Sequence, residues 1–251
     1  FKQYIRQQQH LSWQAFTFES LNLKAMENAE LIDLQIGPYL LKIYRRTDFD
    51  ALLDALMEKG SEHEDFKDER IPYWADLWPS ALGLCHFLAE NPALLPPAAG
   101  VLELGCGLGL PGVLAGRMGG RVVLSDYEQA ALEMAAANWT LNQHSKAETL
   151  LLDWRQPPAG LSPDLILASD VVYEKRLQQP LVNFLHAVMR PKTTFLLSEP
   201  NRPANQSFLK ELPNQGFRVE KSVQIVRWND RPFPVNIFRL NTKNSEKFKN
   251  E

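Results

Sequence analysis

The chain has 251 residues, of which 45% are hydrophobic and 23% are charged, and its net charge is −3. This composition argues against intrinsic disorder, against a transmembrane helix of about 18 apolar residues, and against a protein that chiefly binds the nucleic-acid backbone. The two cysteines, Cys85 and Cys106, are too few for a disulfide framework or a four-ligand metal site, which favours a reduced, cytoplasmic protein without a metal.

The first 70 residues are predicted to form an N-terminal appendage. Residues 15–19 have the pattern of a short strand. Residues 31–36 and 39–45 have the pattern of a β-hairpin, with a Gly-Pro turn between its two strands. Residues 48–59 have the apolar spacing of an amphipathic helix, which a glycine ends.

From residue 71 onward, short apolar runs alternate with helical stretches. The runs predict strands at 101–104, 122–125, 149–152, 165–169, 195–198, 217–224 and 235–240. The helical stretches lie at 79–90, 110–118, 128–142, 175–189 and 204–213. Apolar strands that alternate with helices predict a parallel sheet covered on both faces, and the short loop before the last strand requires an antiparallel pair. We therefore expect an α/β, Rossmann-like, seven-stranded and mostly parallel sheet over residues 71–240, with an antiparallel last strand and a polar tail at 241–251.

A glycine-rich loop follows the first of these strands, in the run VLELGCGLGLPG. Counted from the strand end, it has the form Glu103-x-Gly105-x-Gly107-x-Gly109, which is the S-adenosylmethionine pattern. The glycines let the backbone turn sharply and let a ligand approach without a Cβ in the way. The same run contains Gly107-x-Gly109-x-x-Gly112, the dinucleotide fingerprint, so an NAD(P)-binding Rossmann protein is an alternative. A fingerprint should begin at the strand end, which favours the first pattern over the second.

The next two strand ends carry groups that suit a nucleoside. Asp126 closes the second strand, where its carboxylate would accept hydrogen bonds from both hydroxyls of a ribose. Both cofactors need such an acid, and it would also serve as an N-cap for the following helix. Asp153 and Trp154 follow the third strand. Asp153 would accept from an adenine amino group, and Trp154 would stack on the ring or, alternatively, pack under a loop.

The fourth strand ends in Ser169-Asp170-Val171-Val172-Tyr173, at the sheet edge where open α/β folds place their chemistry. Methyl transfer from a sulfonium is an in-line displacement, in which the protein aligns a neutral nucleophile and excludes water. Asp170 would bind an arriving ammonium and hold the amine, and Tyr173 would form the wall of a narrow channel. Alternatively, Asp170 caps a helix and Tyr173 belongs to the core. The segment lacks the Pro-Pro-aromatic pattern expected of enzymes that methylate nucleobases.

With these segments in place, the chain resembles the seven-strand S-adenosylmethionine-dependent methyltransferases. Within them it resembles the lysine methyltransferase group called methyltransferase family 16, and most of all the electron-transfer-flavoprotein β-subunit lysine methyltransferases and their bacterial relatives. The resemblance covers residues 71–240 and rests on PYWADLWPS (72–80), VLELGCGLGL (101–110), Asp126, Asp153-Trp154, SDVVYE (169–174) and SEPNRP (198–203). It implies cofactor contacts at Trp78, Gly105, Cys106, Gly107, Asp126, Trp154 and Ser169. It also implies a substrate channel at Asp170 and Tyr173.

These patterns predict an S-adenosylmethionine-dependent N-methyltransferase that methylates a lysine side chain of a protein and releases S-adenosylhomocysteine. The alternatives are methylation of a small amine, an NAD(P)-dependent reductase, and a non-catalytic binding module that retains the fold. We expect a protein partner with an accessible lysine and a monomeric chain, and we expect neither nucleic acid nor a membrane as a partner. The five acids of residues 61–70 either attract a basic protein surface or belong to a solvated loop.

Overall fold

The computed structural model describes residues 28–243 of the chain. Its strands in chain order are β1 Ala29–Ile36, β2 Tyr39–Arg46, β3 Gly100–Leu104, β4 Arg121–Asp126, β5 Glu148–Leu151, β6 Leu165–Ser169, β7 Thr194–Glu199, β8 Phe217–Trp228 and β9 Arg231–Thr242. Its helices are α1 Phe49–Glu58, α2 Glu64–Lys67, α3 Pro79–Glu90, α4 Leu110–Arg117, α5 Gln129–Gln143, α6 Lys175–Val188 and α7 Gln206–Glu211. The strand predicted at residues 15–19 and most of the predicted polar tail lie outside the described residues.

Seven strands form one sheet in the order β5-β4-β3-β6-β7-β9-β8. The strands from β5 to β7 are parallel, and β9 runs antiparallel to both of its neighbours. The predicted mostly parallel, seven-stranded sheet with an antiparallel last strand is thereby confirmed. The chain moves outward from β3 to β5 and then returns to β6. The carboxyl ends of β3 and β6 therefore form the switch point at which open α/β sheets bind ligands.

Side chains of the central strands alternate between the two faces of the sheet, because successive residues of a strand point to opposite sides. Val101 and Leu165 belong to the hydrophobic cluster that contains residues of α3, α4 and α5. Leu102 and Ile166 belong to the opposite cluster, which contains residues of α6. Each face is thus covered by helices, as the continuous apolar runs predict. No helix among residues 28–243 combines the length and apolar character needed to cross a membrane.

The hairpin of β1 and β2 forms as predicted and packs against α5. Asn138 pairs with β2 through both polar atoms of its side-chain amide. Its Oδ1 accepts from the Tyr44 N–H at 2.7 Å, and its Nδ2 donates to the Tyr44 carbonyl at 3.0 Å. Asn142 makes the equivalent pair of bonds to Lys42. These side chains satisfy backbone N–H and C=O groups at the edge of β2, as a neighbouring strand would. Between them in the chain, Ile43 is fully buried in the same hydrophobic cluster as residues of the large sheet. The hairpin therefore shares a core with the large sheet.

The structure differs from the sequence prediction between residues 61 and 70. This segment contains the four-residue helix α2 where a loop was predicted. The side chain of His63 caps the helix, since its Nδ1 accepts from the Asp65 N–H at 3.1 Å. A single helical turn has no room for an apolar periodicity, so the pattern that predicts longer helices is absent here.

Candidate functional site

A cavity of about 190 Å³ opens at the carboxyl ends of the parallel strands. Loops after five consecutive strands of the sheet line it, through Gly105, Cys106 and Gly107 after β3, Asp126, Tyr127 and Glu128 at β4, Trp154 after β5, Ser169, Asp170 and Tyr173 at β6, and Arg202 after β7. The segment before α3 completes the wall with Ile71, Tyr73, Trp74, Asp76, Leu77 and Trp78. Most of the residues predicted to form a site are therefore brought together in one place.

The glycine loop makes a tight left-handed turn between β3 and α4. Gly105, Gly107 and Gly109 have φ angles of 58°, 50° and 76°, a region that side chains with a Cβ rarely occupy. A Cβ on Gly105 would lie 2.9 Å from Cγ1 of Val171, whereas a Cβ on Gly109 would lie 3.0 Å from that of Ala135 in α5. The absence of a side chain at Gly105 therefore leaves room for Val171 on the cavity wall. Gly109, which was predicted to contact a cofactor, does not line the cavity and instead lets α5 pack closely against the loop.

Asp126 is buried at the end of β4 and faces the glycine loop. Its Oδ2 accepts from the Gly107 N–H and its Oδ1 from the Glu128 N–H, each at 3.0 Å. Burial raises the pKa of Asp126 to about 6, even though these backbone hydrogen bonds oppose the shift. A carboxylate has about four acceptor positions, so both oxygens can accept a further hydrogen bond from a ligand.

Two neighbours of Asp126 in the chain also line the cavity, and the sequence analysis did not name them. Burial raises the pKa of Glu128 to about 7, while the guanidinium of Arg70, 3.3 Å away, favours the charged form. Burial likewise raises the pKa of Tyr127. Their position directly after a predicted site residue is the one sequence signal that indicates them.

Trp154 and Asp153 occupy different places although they are adjacent. Trp154 is buried on the cavity wall, and its Nε1 has no hydrogen-bond partner among residues 28–243. The Asp153 carboxylate lies instead against Arg155, with 2.7 Å between Oδ2 and Nη2. Asp153 therefore does not line this cavity, but it lines a small neighbouring pocket together with Trp154 and Tyr127.

Glu103 also lies away from the cavity. It shares the face of β3 that points toward α4, where its Oε2 accepts from the Gly112 N–H at 2.9 Å. Burial raises the pKa of Glu103 well above its usual range, although the hydrogen bond from Gly112 opposes the shift. Gly112 lies in the first turn of α4, whose amides have no intrahelical partner. In the structure Glu103 satisfies one of them and does not line the cavity.

At the end of β6, Asp170 has a φ of 54° and a side chain that is only 7% exposed. Arg202 binds its carboxylate with two hydrogen bonds, from Nη2 to Oδ2 at 2.6 Å and from Nε to Oδ1 at 3.1 Å. Accepting these bonds, Asp170 raises the pKa of Arg202. Glu199 supports the arginine's backbone by accepting from its N–H at 3.0 Å. An approaching cation therefore meets a carboxylate that already has a positive partner.

Aromatic rings connect the two ends of the cavity. Tyr73 contacts Tyr173 edge-on, with 5.4 Å between ring centroids, and Trp78 edge-on at 5.8 Å. The Trp78 Nε1–H donates to the Tyr73 carbonyl at 2.7 Å. Phe49, at the start of α1, stacks on Tyr73 at 6.3 Å, so the predicted appendage reaches the site. Burial raises the pKa of Tyr173, which keeps its phenol neutral.

No cluster of three or more His, Cys, Asp or Glu side chains within residues 28–243 is arranged to hold a metal ion. Cys85 and Cys106 are both buried thiols, and burial raises the pKa of each. Cys106 lies on the cavity wall as an uncharged, compact side chain beside Gly105 and Gly107. Its contribution to the site is therefore one of shape.

Comparison with known proteins gives one family match. A family model described as lysine methyltransferase matches residues 67–215. The chain is 31% identical over 145 residues to the histone-arginine methyltransferase METTL23 of Mus musculus, which covers 55% of this chain and 57% of that protein. It is 32% identical over 195 residues to the protein N-lysine methyltransferase METTL21A of Danio rerio, covering 73% and 84% respectively. An electron transfer flavoprotein beta subunit lysine methyltransferase of Xenopus laevis is 32% identical over 137 residues, covering 52% and 53%.

For the first relatives found, the match spans between 46% and 64% of their length. Among solved structures, the N-methyltransferase NodS from Bradyrhizobium japonicum WM9, in complex with S-adenosyl-l-homocysteine, superimposes with a TM-score of 0.55. That likeness covers 76% of this chain and 98% of the other at 16% sequence identity, and it concerns the fold.

Proposed function

Because this chain belongs to the lysine methyltransferase family, we propose that it is an S-adenosylmethionine-dependent enzyme that methylates a lysine side chain of a protein. The resemblance drawn from the sequence motifs is confirmed by the family match. The observation that carries the proposal is that one continuous cavity joins a nucleoside-like half at Asp126 and Trp154 to an acceptor half at Asp170 and Tyr173.

The residues present fit an adenosyl cofactor. Asp126 keeps acceptor positions for two ribose hydroxyls, and the unpaired Trp154 Nε1 lies in the wall where an adenine would pack. Gly105 lines the cavity without a Cβ, so a ligand can approach its backbone closely. Trp78, Cys106, Gly107 and Ser169 complete the surface that would hold the cofactor. When bound, S-adenosylmethionine supplies an electrophilic methyl group on a sulfonium.

The acceptor half orients the amine. A lysine has a reference pKa of about 10.4, so it must lose a proton before its nitrogen can form the new N–C bond as the C–S bond breaks. Since Arg202 binds Asp170, we assign Asp170 the role of orienting the amine, and we assign solvent as the acceptor of the amine's proton. The rings of Tyr73, Tyr173 and Trp78 exclude water around the acceptor and restrict it to a narrow approach.

The dinucleotide alternative finds no support in the loop. Gly109 faces Ala135, and a Cβ on Gly112 would collide with Glu103 and Leu124, each at 2.4 Å. Neither glycine lines the cavity. The Gly112 contact is the helix–strand packing that the third glycine of a dinucleotide fingerprint also makes, so the observation against this alternative is Gly109, whose position should approach a pyrophosphate. The pattern that reaches the cavity is the one that begins at Gly105, directly after β3.

Calorimetric titrations with S-adenosylmethionine, S-adenosylhomocysteine and NADH, carried out in parallel, test the cofactor. We expect binding of the first two and none of NADH; binding of NADH alone would refute the proposal. Incubation of lysate proteins with radiolabelled S-adenosylmethionine, followed by amino-acid analysis, tests the acceptor. Label in methyllysine supports a protein lysine, whereas label in methylarginine or in small amines would assign another acceptor.

A further inference from the structure

A charged segment crosses the nucleoside end of the cavity. We call residues 64–71 the strap: it consists of α2 and the four residues that follow it. The Asp68 carboxylate accepts two hydrogen bonds from Arg155, at 2.7 Å and 2.9 Å. It also accepts from Arg176, which donates a second hydrogen bond to the Asp68 carbonyl oxygen. Arg155 directly follows Trp154, and Arg176 lies in the first turn of α6.

Near the end of the strap, Arg70 contacts the loop that follows β4. The guanidinium of Arg70 lies 3.3 Å from Glu128 Oε1 and 5.2 Å from the centroid of the Tyr127 ring. The next residue, Ile71, is itself on the cavity wall, as are Tyr127 and Glu128. The strap therefore holds one wall of the cavity against residues that form the opposite wall.

These contacts form a network, in contrast to an isolated surface pair, which stabilises little. The Asp68 side chain is only 18% exposed and touches two arginines that come 87 and 108 residues later in the chain. The hydrogen bond from Arg155 lowers the pKa of Asp68 to about 2, so the carboxylate stays charged. Arg155 also binds Asp153, which extends the network to the loop after β5.

We propose that Asp68 is a positioning residue that latches the strap across the nucleoside end of the cavity and controls how fast the cofactor enters and leaves. This inference rests on the proposed function. The bonds of Asp68 and Arg70 join the segment that carries Ile71 to the loops that carry Trp154 and Tyr127, so an adenosyl group that enters between these segments must break the contacts. The latch is closed in the structure, so releasing it should lower the barrier both to entry and to exit.

Stopped-flow binding of S-adenosylhomocysteine measures both rate constants, with the intrinsic fluorescence of Trp74, Trp78 and Trp154 on the cavity wall as the signal. In Asp68→Asn we expect the association and dissociation rate constants each to rise about tenfold, while Kd changes less than about threefold. Raising the salt concentration from about 50 mM to about 500 mM should accelerate exchange in the wild type more than in the variant, in which the Arg70–Glu128 pair remains.

Glu62→Gln is the matched control. Glu62 is an exposed acid six residues earlier whose carboxylate pairs with Lys67 at 3.0 Å, so we expect wild-type rates. Arg155→Gln should accelerate exchange by less than Asp68→Asn, because Arg176 still binds Asp68 in that variant. The double variant should be no faster than Asp68→Asn alone, because that change already removes the contact with Arg155. Thermal melting verifies that each variant is folded, and Arg176→Gln replaces any that is not.

Dissociation in Asp68→Asn within about twofold of the wild type would overturn the proposal. So would equal acceleration in Glu62→Gln, or slower association combined with faster dissociation, since that pattern indicates a damaged wall. Failure of the proposed function is a separate result: the wild type itself would then give no signal with S-adenosylhomocysteine.

Discussion

Affinity for S-adenosylhomocysteine should depend on pH through Asp126. The Asp126 carboxylate can accept hydrogen bonds from both ribose hydroxyls only when it is ionised. Burial raises its pKa to about 6. The hydroxyl bonds favour the ionised form, so binding weakens as the pH falls through about 6. At about pH 5 roughly nine-tenths of the unliganded protein carries a protonated Asp126, and affinity should be about tenfold lower than at about pH 8.

Calorimetric titration across this pH range measures the effect. Glu128, whose pKa is raised to about 7, titrates in the same window from the same wall. The comparison is therefore made in Glu128→Gln as well as in the wild type, and the tenfold change should persist in both. Asp126→Asn should bind weakly at every pH. Equal affinity of Glu128→Gln at the two pH limits, or the full pH dependence in Asp126→Asn, would show that Asp126 does not receive the ribose.

Three further predictions concern other parts of the site and fold. Gly105→Ala should cost about 1–3 kcal/mol in urea unfolding, because the new Cβ is strained and meets Val171 at 2.9 Å. Gly119→Ala, with a φ of 97° but open space, should cost less; equal losses would contradict the clash. Asn138→Ala should destabilise by about 2–4 kcal/mol, seen as a lower Tm, by leaving backbone groups of β2 unpaired. Asp170→Asn should lower turnover by about 100-fold with an unchanged Kd for S-adenosylhomocysteine; retained turnover would refute its orienting role.

The sheet and the main wall of the cavity were predictable because their signals are local. A buried apolar run marks each parallel strand, and the residue that ends the run marks the edge of the sheet. Asp126, Trp154 and Asp170 each follow such a run, and parallel strands bring their carboxyl ends to one edge. The glycines after β3 likewise indicate a tight turn without reference to the rest of the chain.

Contacts between distant segments were not predictable. Nothing near Asp170 in the sequence indicates that Arg202 binds it, and Arg155 lies 87 residues from Asp68. The acids of residues 61–70 were predicted either to attract a basic surface or to be solvated. Two of them instead pair within the protein: Asp65 with Lys59, and Asp68 with Arg155 and Arg176. Glu103 is different, since the alternation of β3 already places it on the face of Val101 and toward a helix.

The position of β9 has a consequence for the order in which the site is completed during synthesis. Although β9 is the last strand of the described chain, it lies inside the sheet, between β7 and β8. Until it emerges from the ribosome, β7 has an unpaired edge that favours association with other chains. Asn236 of β9 donates to the buried Glu199, which in turn supports Arg202. The nucleoside half of the cavity uses residues made much earlier, so a nascent chain can assemble its cofactor side well before its acceptor side.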